Sequence, residues 1–113
     1  TAADAYAGLG LCAHKRDDAA QAETWYRKAL DQNPNNTGAL YGMAELSQAQ
    51  SKTLQGRAFL QRYHSQSRPT AQSLWLGVMI ESAADGDPRM LGEYRDVLLT
   101  RFPNAEEAQR IKR

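Results

Sequence analysis

The stretch Ala5-Tyr-Ala-Gly-Leu-Gly-Leu-Cys12 decides how the whole chain is read. Gly8 and Gly10 form a Gly-x-Gly, the start of a phosphate-cradling loop if a strand precedes it and a helix follows. Within a helix the same two residues are small side chains that let a neighbouring helix approach. The first reading leads to a nucleotide enzyme, the second to a scaffold.

The rest of the chain favours the second. Moving Tyr6, Leu9, Gly10, Ala13, Ala22 and Tyr26 forward by 34 lands on Leu40, Met43, Ala44, Ser47, Gly56 and Leu60. Large side chains thus meet large ones, and Gly10/Ala44 and Ala22/Gly56 pair small with small. From Pro69 to Pro103 is another 34, and a looser third copy runs through Leu76-Gly77, Ile80, Gly92, Tyr94 and Leu98. A period of this length marks stacked supersecondary units, none of which can bury its apolar face alone. Val78, Val97, Ile80 and Ile111 are the only Val or Ile residues, so β-propensity is low throughout.

The first copy, Tyr6-x₂-Leu9-Gly10-x₂-Ala13, Ala22-x₃-Tyr26-x₂-Ala29 and Pro34, resembles the tetratricopeptide repeat. Only the Tyr expected after Leu-Gly is missing, its place taken by Ala13. The expected fold is all-α, a tetratricopeptide-repeat solenoid of helical hairpins. It forms one domain over residues 1–113, with repeats at 3–36, 37–70 and 71–103 and a capping helix at 104–112. Seven helices are predicted, at about 3–15, 18–32, 37–49, 53–66, 71–84, 88–101 and 104–112. Asp18-x-x-Gln21 and Asn104-x-x-Glu107 read as capping boxes. In Asp85-Gly-Asp-Pro88, Gly86 suits a left-handed helix end, Asp87 a cap and Pro88 a first helical position. Residues 5–12 then lie within a helix, and the phosphate-loop reading falls away.

The totals agree. A 113-residue chain is one domain's worth and buries about 65% of its unfolded surface. With 14 Lys and Arg against 13 Asp and Glu, there is no excess positive charge to displace nucleic-acid counterions, so no nucleic-acid partner is expected. No run of about 18 apolar residues is present to span a bilayer. The chain opens on Thr1 rather than Met and is read as a segment of a longer protein.

At about 100° per residue, Tyr6, Leu9, Gly10 and Ala13 form the stripe facing the partner helix. Ala7, Leu11 and His14 form a second, which in tetratricopeptide folds lines the concave groove. Its equivalents are Tyr41, Glu45 and Gln48 in the second copy and Leu74, Val78 and Glu81 in the third. Such a groove suits an extended apolar segment or a partner helix. Equally, these residues could do no more than pack against their neighbours. The stripe has no Lys, Arg or Asn of the kind that grips a C-terminal carboxylate. Trp75, on a helix apolar nearly all round, is the aromatic most suspected of projecting into a partner. Trp25 is read as a partly covered surface aromatic near the convex side.

No catalytic constellation is visible, and an enzyme is not expected. Cys12 recurs as Leu46 and Met79 in the other copies, so it reads as a buried structural thiol. His14 and His64 fall in different repeats with no ligand partner at zinc spacing. Asp17-Asp18 and Glu106-Glu107 suit helix starts. No cofactor or metal is expected.

Beyond the repeat, the chain resembles the C-terminal part of the type IV pilus biogenesis and stability proteins, the PilF/PilW family. The residues that carry this are Tyr6–Cys12 with Ala22–Leu30, Gly38–Leu46, Ser73–Ile80, Tyr94 and Arg101-Phe-Pro-Asn-Ala-Glu-Glu-Ala-Gln109. The resemblance implies an outer-membrane lipoprotein facing the periplasm, a pilotin, that helps the pilus secretin reach or assemble in that membrane, or stabilises pili. Its membrane contact would run through a lipid-modified N-terminal cysteine ahead of this segment; Cys12, inside a helix, is not that residue. A scaffold of another periplasmic assembly, such as cytochrome c maturation, is the alternative. Without a preceding repeat, the apolar face around Tyr6, Leu9 and Cys12 is expected to be bare and to drive self-association through the first helix.

Overall fold

The computed structural model describes residues 1–113 as seven helices and no strand. They are α1 (Ala2–Lys15), α2 (Ala19–Gln32), α3 (Thr37–Ala49), α4 (Thr53–Gln66), α5 (Ala71–Glu81), α6 (Pro88–Arg101) and α7 (Glu106–Lys112). This is the tetratricopeptide-type helical-hairpin solenoid. Hairpins α1–α2, α3–α4 and α5–α6 stack side by side. The first helices of the pairs touch one another, α1 on α3 and α3 on α5. The second helices make no such approach, so the stack is tight on one side and splayed on the other. That asymmetry curves it. The radius of gyration is 14.1 Å, against about 13 Å for a compact chain of this length.

Local chemistry explains the ends. Asp17 and Ser51, 34 residues apart, both adopt left-handed backbone, with φ of 65° and 59°. At each, two backbone bonds close the preceding helix: Asp18 N–H to Ala13 O and Asp17 N–H to His14 O, then Lys52 N–H to Ser47 O and Ser51 N–H to Gln48 O. This is the same Schellman closure twice, without glycine. Asp18 accepts a bond from the Gln21 N–H, while the Gln21 side chain turns instead to Arg16. Asp87 caps α6 and Pro88 opens it, as expected. Two expectations fail. Gly86 is not left-handed; a side chain there would strike the Glu81 carbonyl. Asn104 does not cap α7, which begins two residues later behind Ala105.

The core runs through the first two hairpins and onto α5. Tyr26, Leu40, Met43 and Leu60 are fully buried. Tyr26 is the hub: its ring lies between Gly10 of α1 and Gly42 of α3. Tyr94 repeats the arrangement against Gly77. A second, smaller cluster of Leu74, Leu98 and Ala108 docks α7 onto α5 and α6. Helix α5 ends three residues early because the chain turns back over Glu81. That buried carboxylate accepts two bonds from Arg57 of α4 (2.8 and 2.5 Å) and one from the Asp87 N–H (3.0 Å).

Candidate functional site

The tight side of the stack carries a cleft of about 460 Å³ between α1 and α3. Its long walls are Asp4, Ala7, Gly8 and Leu11 on α1 and Gly38, Tyr41, Gly42 and Glu45 on α3. Both sets follow helical spacing, so each wall is one stripe of a helix. Tyr26 lies at the cleft between the two walls, and Tyr63 and Thr70 close the end nearer the next repeat.

The two helix starts that form one end of the cleft are tied together. Asn36 caps α3 by accepting from the Ala39 N–H (2.9 Å), and its side-chain amide donates to the Asp4 carboxylate (2.8 Å). Hydrogen bonding from Thr1 and from Asn36 holds the Asp4 carboxyl below the ordinary aspartate value. At the far wall, Tyr41 tilts against Tyr63 with ring centroids 5.1 Å apart. Burial, and then the Glu45 charge, pushes both Tyr26 and Tyr41 up to about 12. Glu45 is half-buried. Burial raises its carboxyl above the usual glutamate value, partly offset by His14.

Four of the ten residues expected in the groove meet here: Ala7, Leu11, Tyr41 and Glu45. His14 stands beside Glu45, close enough to act on its charge, without lining the cleft. The others lie elsewhere. Gln48 lines a smaller depression of about 240 Å³ with Lys52, Thr53 and Met79. Leu74, Val78 and Glu81 are buried, at 2%, 7% and 3% exposure. The third copy is closed where the first two are open: Leu74 packs with Leu98 of α6 and Ala108 of α7, and Glu81 lies under Arg57 of α4. Trp75 does not project into solvent. It is half-buried in the second cluster, with the Arg110 guanidinium of α7 over its ring at 5.4 Å.

Sequence reasoning missed the other lining residues, among them Asp4, Gly38, Gly42, Tyr63 and Thr70. Gly38 and Gly42 carried a signal, as small residues on the same turn-to-turn face as Tyr41 and Glu45. Tyr63 carried none, because its place beside Tyr41 is set by the α3–α4 crossing. Cys12 is exposed, contrary to the buried thiol expected. Its counterpart Leu46 is 3% exposed, but no helix of this chain lies on the outer side of α1. Leu9, at 44% exposure, is bare for the same reason, whereas Tyr6 is half-covered by stacking on Trp25 at 5.8 Å. Trp25 is partly covered, as expected. No three His, Cys, Asp or Glu side chains converge as a metal site requires. No helix is long and apolar enough to cross a membrane.

Fold and cleft together define a class, the tetratricopeptide-type solenoid with an open cleft between the first helices of its hairpins. Within that class the chain has the fold of two solved proteins. PilF of Pseudomonas aeruginosa superposes with a TM-score of 0.85 at 23% identity, over 97% of this chain and 49% of that one. PilW, described as a widely conserved type IV pilus biogenesis factor, superposes at 0.81 and 24% identity, over 92% of this chain and 47% of that one. The chain therefore spans about half the length of either structure. Neither a protein-family model nor a curated protein matches it.

Proposed function

We propose that this domain is a protein-binding scaffold of type IV pilus biogenesis, acting by docking rather than by turnover. The observation that carries the reading is the cleft along α1 and α3, set in a fold shared with PilF and PilW. Two parallel helical stripes lined with Leu11 and Tyr41 offer an apolar floor with a few polar groups at fixed positions, which suits a protein segment. The partner proposed is the outer-membrane secretin of the pilus, or another component of its assembly. In the whole protein, a lipid-modified N-terminal cysteine would hold the domain at the periplasmic face of the outer membrane.

A soluble segment of the secretin tests this. Binding in calorimetry that protects the Leu11 and Tyr41 amides from hydrogen exchange is the expected result. Absence of binding, or binding with no protection at the cleft, overturns it.

A further inference from the structure

The walls of the cleft say more about its occupant than that it is apolar. Of its 13 lining residues, Asp4 and Glu45 carry carboxylates and none is Lys or Arg. The two acids are not equivalent. Asp4 is engaged by Asn36. Glu45 enters none of the chain's ion pairs and receives no hydrogen bond from the chain; only His14 acts on its charge, and that offsets the effect of burial in part. A carboxylate drawn partly out of water without a donor is unfavourable until a cation or donor arrives. Tyr41 on the α3 wall packs against Tyr63 at the end of the cleft, and aromatic faces attract cations as well as apolar stems.

We infer that Glu45 anchors a Lys or Arg side chain carried by an extended segment of the partner protein, whose apolar residues lie along Leu11 and Tyr41. The inference rests on reading the cleft as a docking surface and adds the chemistry of what docks. The stripe from Gly38 to Glu45 rises about 10 Å, the span of about three extended residues. One basic residue between two apolar ones fits that length. An acidic segment would meet Asp4 and Glu45 and be repelled.

Three blocked peptides, acetyl-Leu-Xaa-Leu-amide with Xaa as Arg, Gln or Glu, test this by NMR titration of the Leu11, Tyr41 and Glu45 amides. The Arg peptide is expected to bind at least about tenfold tighter than the Gln peptide, a difference typical of a charge-assisted hydrogen bond. The Glu peptide should be weakest. Added salt should narrow the gap between Arg and Gln. Glu45→Gln should reduce the Arg preference to within about twofold while leaving the Gln peptide's affinity unchanged, which loss of the fold could not do. Equal affinity of the Arg and Gln peptides at the cleft overturns the anchor and leaves the docking surface standing. Shifts only outside the cleft, or no binding by any peptide, overturn both. Peptide-free shifts that grow with protein concentration, traced to Arg110–Arg113 of a second copy, would replace the partner and overturn the assignment.

Discussion

The ring of Tyr26 lies so close to Gly10 that a methyl group at position 10 would sit 2.6 Å from two of its carbons. At Gly8, two residues away, a methyl group would have nothing within 4 Å. The two glycines of Gly-x-Gly thus play different parts, and one experiment separates them. Gly10→Ala should lose about 1–3 kcal/mol of stability by overpacking against a fully buried ring. Gly8→Ala should gain up to about 1 kcal/mol from helix propensity. Urea denaturation measures both.

Arg57 and Glu81 join the second hairpin to the third through a pair in which the Glu81 side chain is only 1% exposed. Arg57→Met should cost about 3 kcal/mol, because a buried carboxylate loses its counter-charge. Adding Glu81→Gln should recover at least half of that, since the neutral amide oxygen still accepts from the Asp87 N–H. Were Arg57→Met alone as stable as the parent, the pair would be structurally idle.

His64 is half-buried beside Tyr63 and Tyr94, with Nε2 2.8 Å from the Ser73 hydroxyl. Burial holds its imidazole below the ordinary 6.5. The folded state then binds fewer protons than the unfolded state, so stability is full above about pH 6.5 and falls as the pH drops below it. The urea midpoint of the parent should decline from pH 7.5 to 5.5. His64→Gln, although less stable at pH 7.5, should show a smaller decline. Equal slopes would contradict a depressed His64.

Glu45 has the opposite sign. Its carboxyl is raised, so the folded state holds the proton longer, and stability is lost as pH rises from about 4.5 through the folded value. Glu45→Gln should therefore raise the urea midpoint at pH 7 and lose that advantage towards pH 4. Stability gained where peptide selectivity is lost is the trade expected of a functional group held in an unfavourable setting.

Leu9 and Leu11 are exposed at 44% and 46%, and Cys12 beside them is open to solvent. Leu9 and Cys12 lie on the outer face of α1, where self-association of this segment is expected. Light scattering at high concentration should show a dimer that Leu9→Lys converts to monomer. A parent chain that stays monomeric there would refute it.

The spacing of Tyr6, Leu9 and Gly10 with Leu40, Met43 and Ala44 announced the hairpins, and five of the seven helices lie within a residue of their expected bounds. Half of the two long walls was legible in the same way, because Ala7 and Leu11 share one stripe of α1 and Tyr41 and Glu45 one stripe of α3. The third repeat departs from the expectation. Leu74, Val78 and Glu81 hold the equivalent register on α5, yet the register says nothing about what lies over it.

What the order of residues determined by itself was local and periodic. Helix propensity, an Asp or Asn at a helix start and a 34-residue apolar period act over a few neighbours, or through repetition of one unit, and so survive being read along a line. Only the tertiary structure decided which stripes stay open. Exposure depends on whether another helix arrives: α7 arrives over α5, none arrives beyond α1, and the space between α1 and α3 stays open.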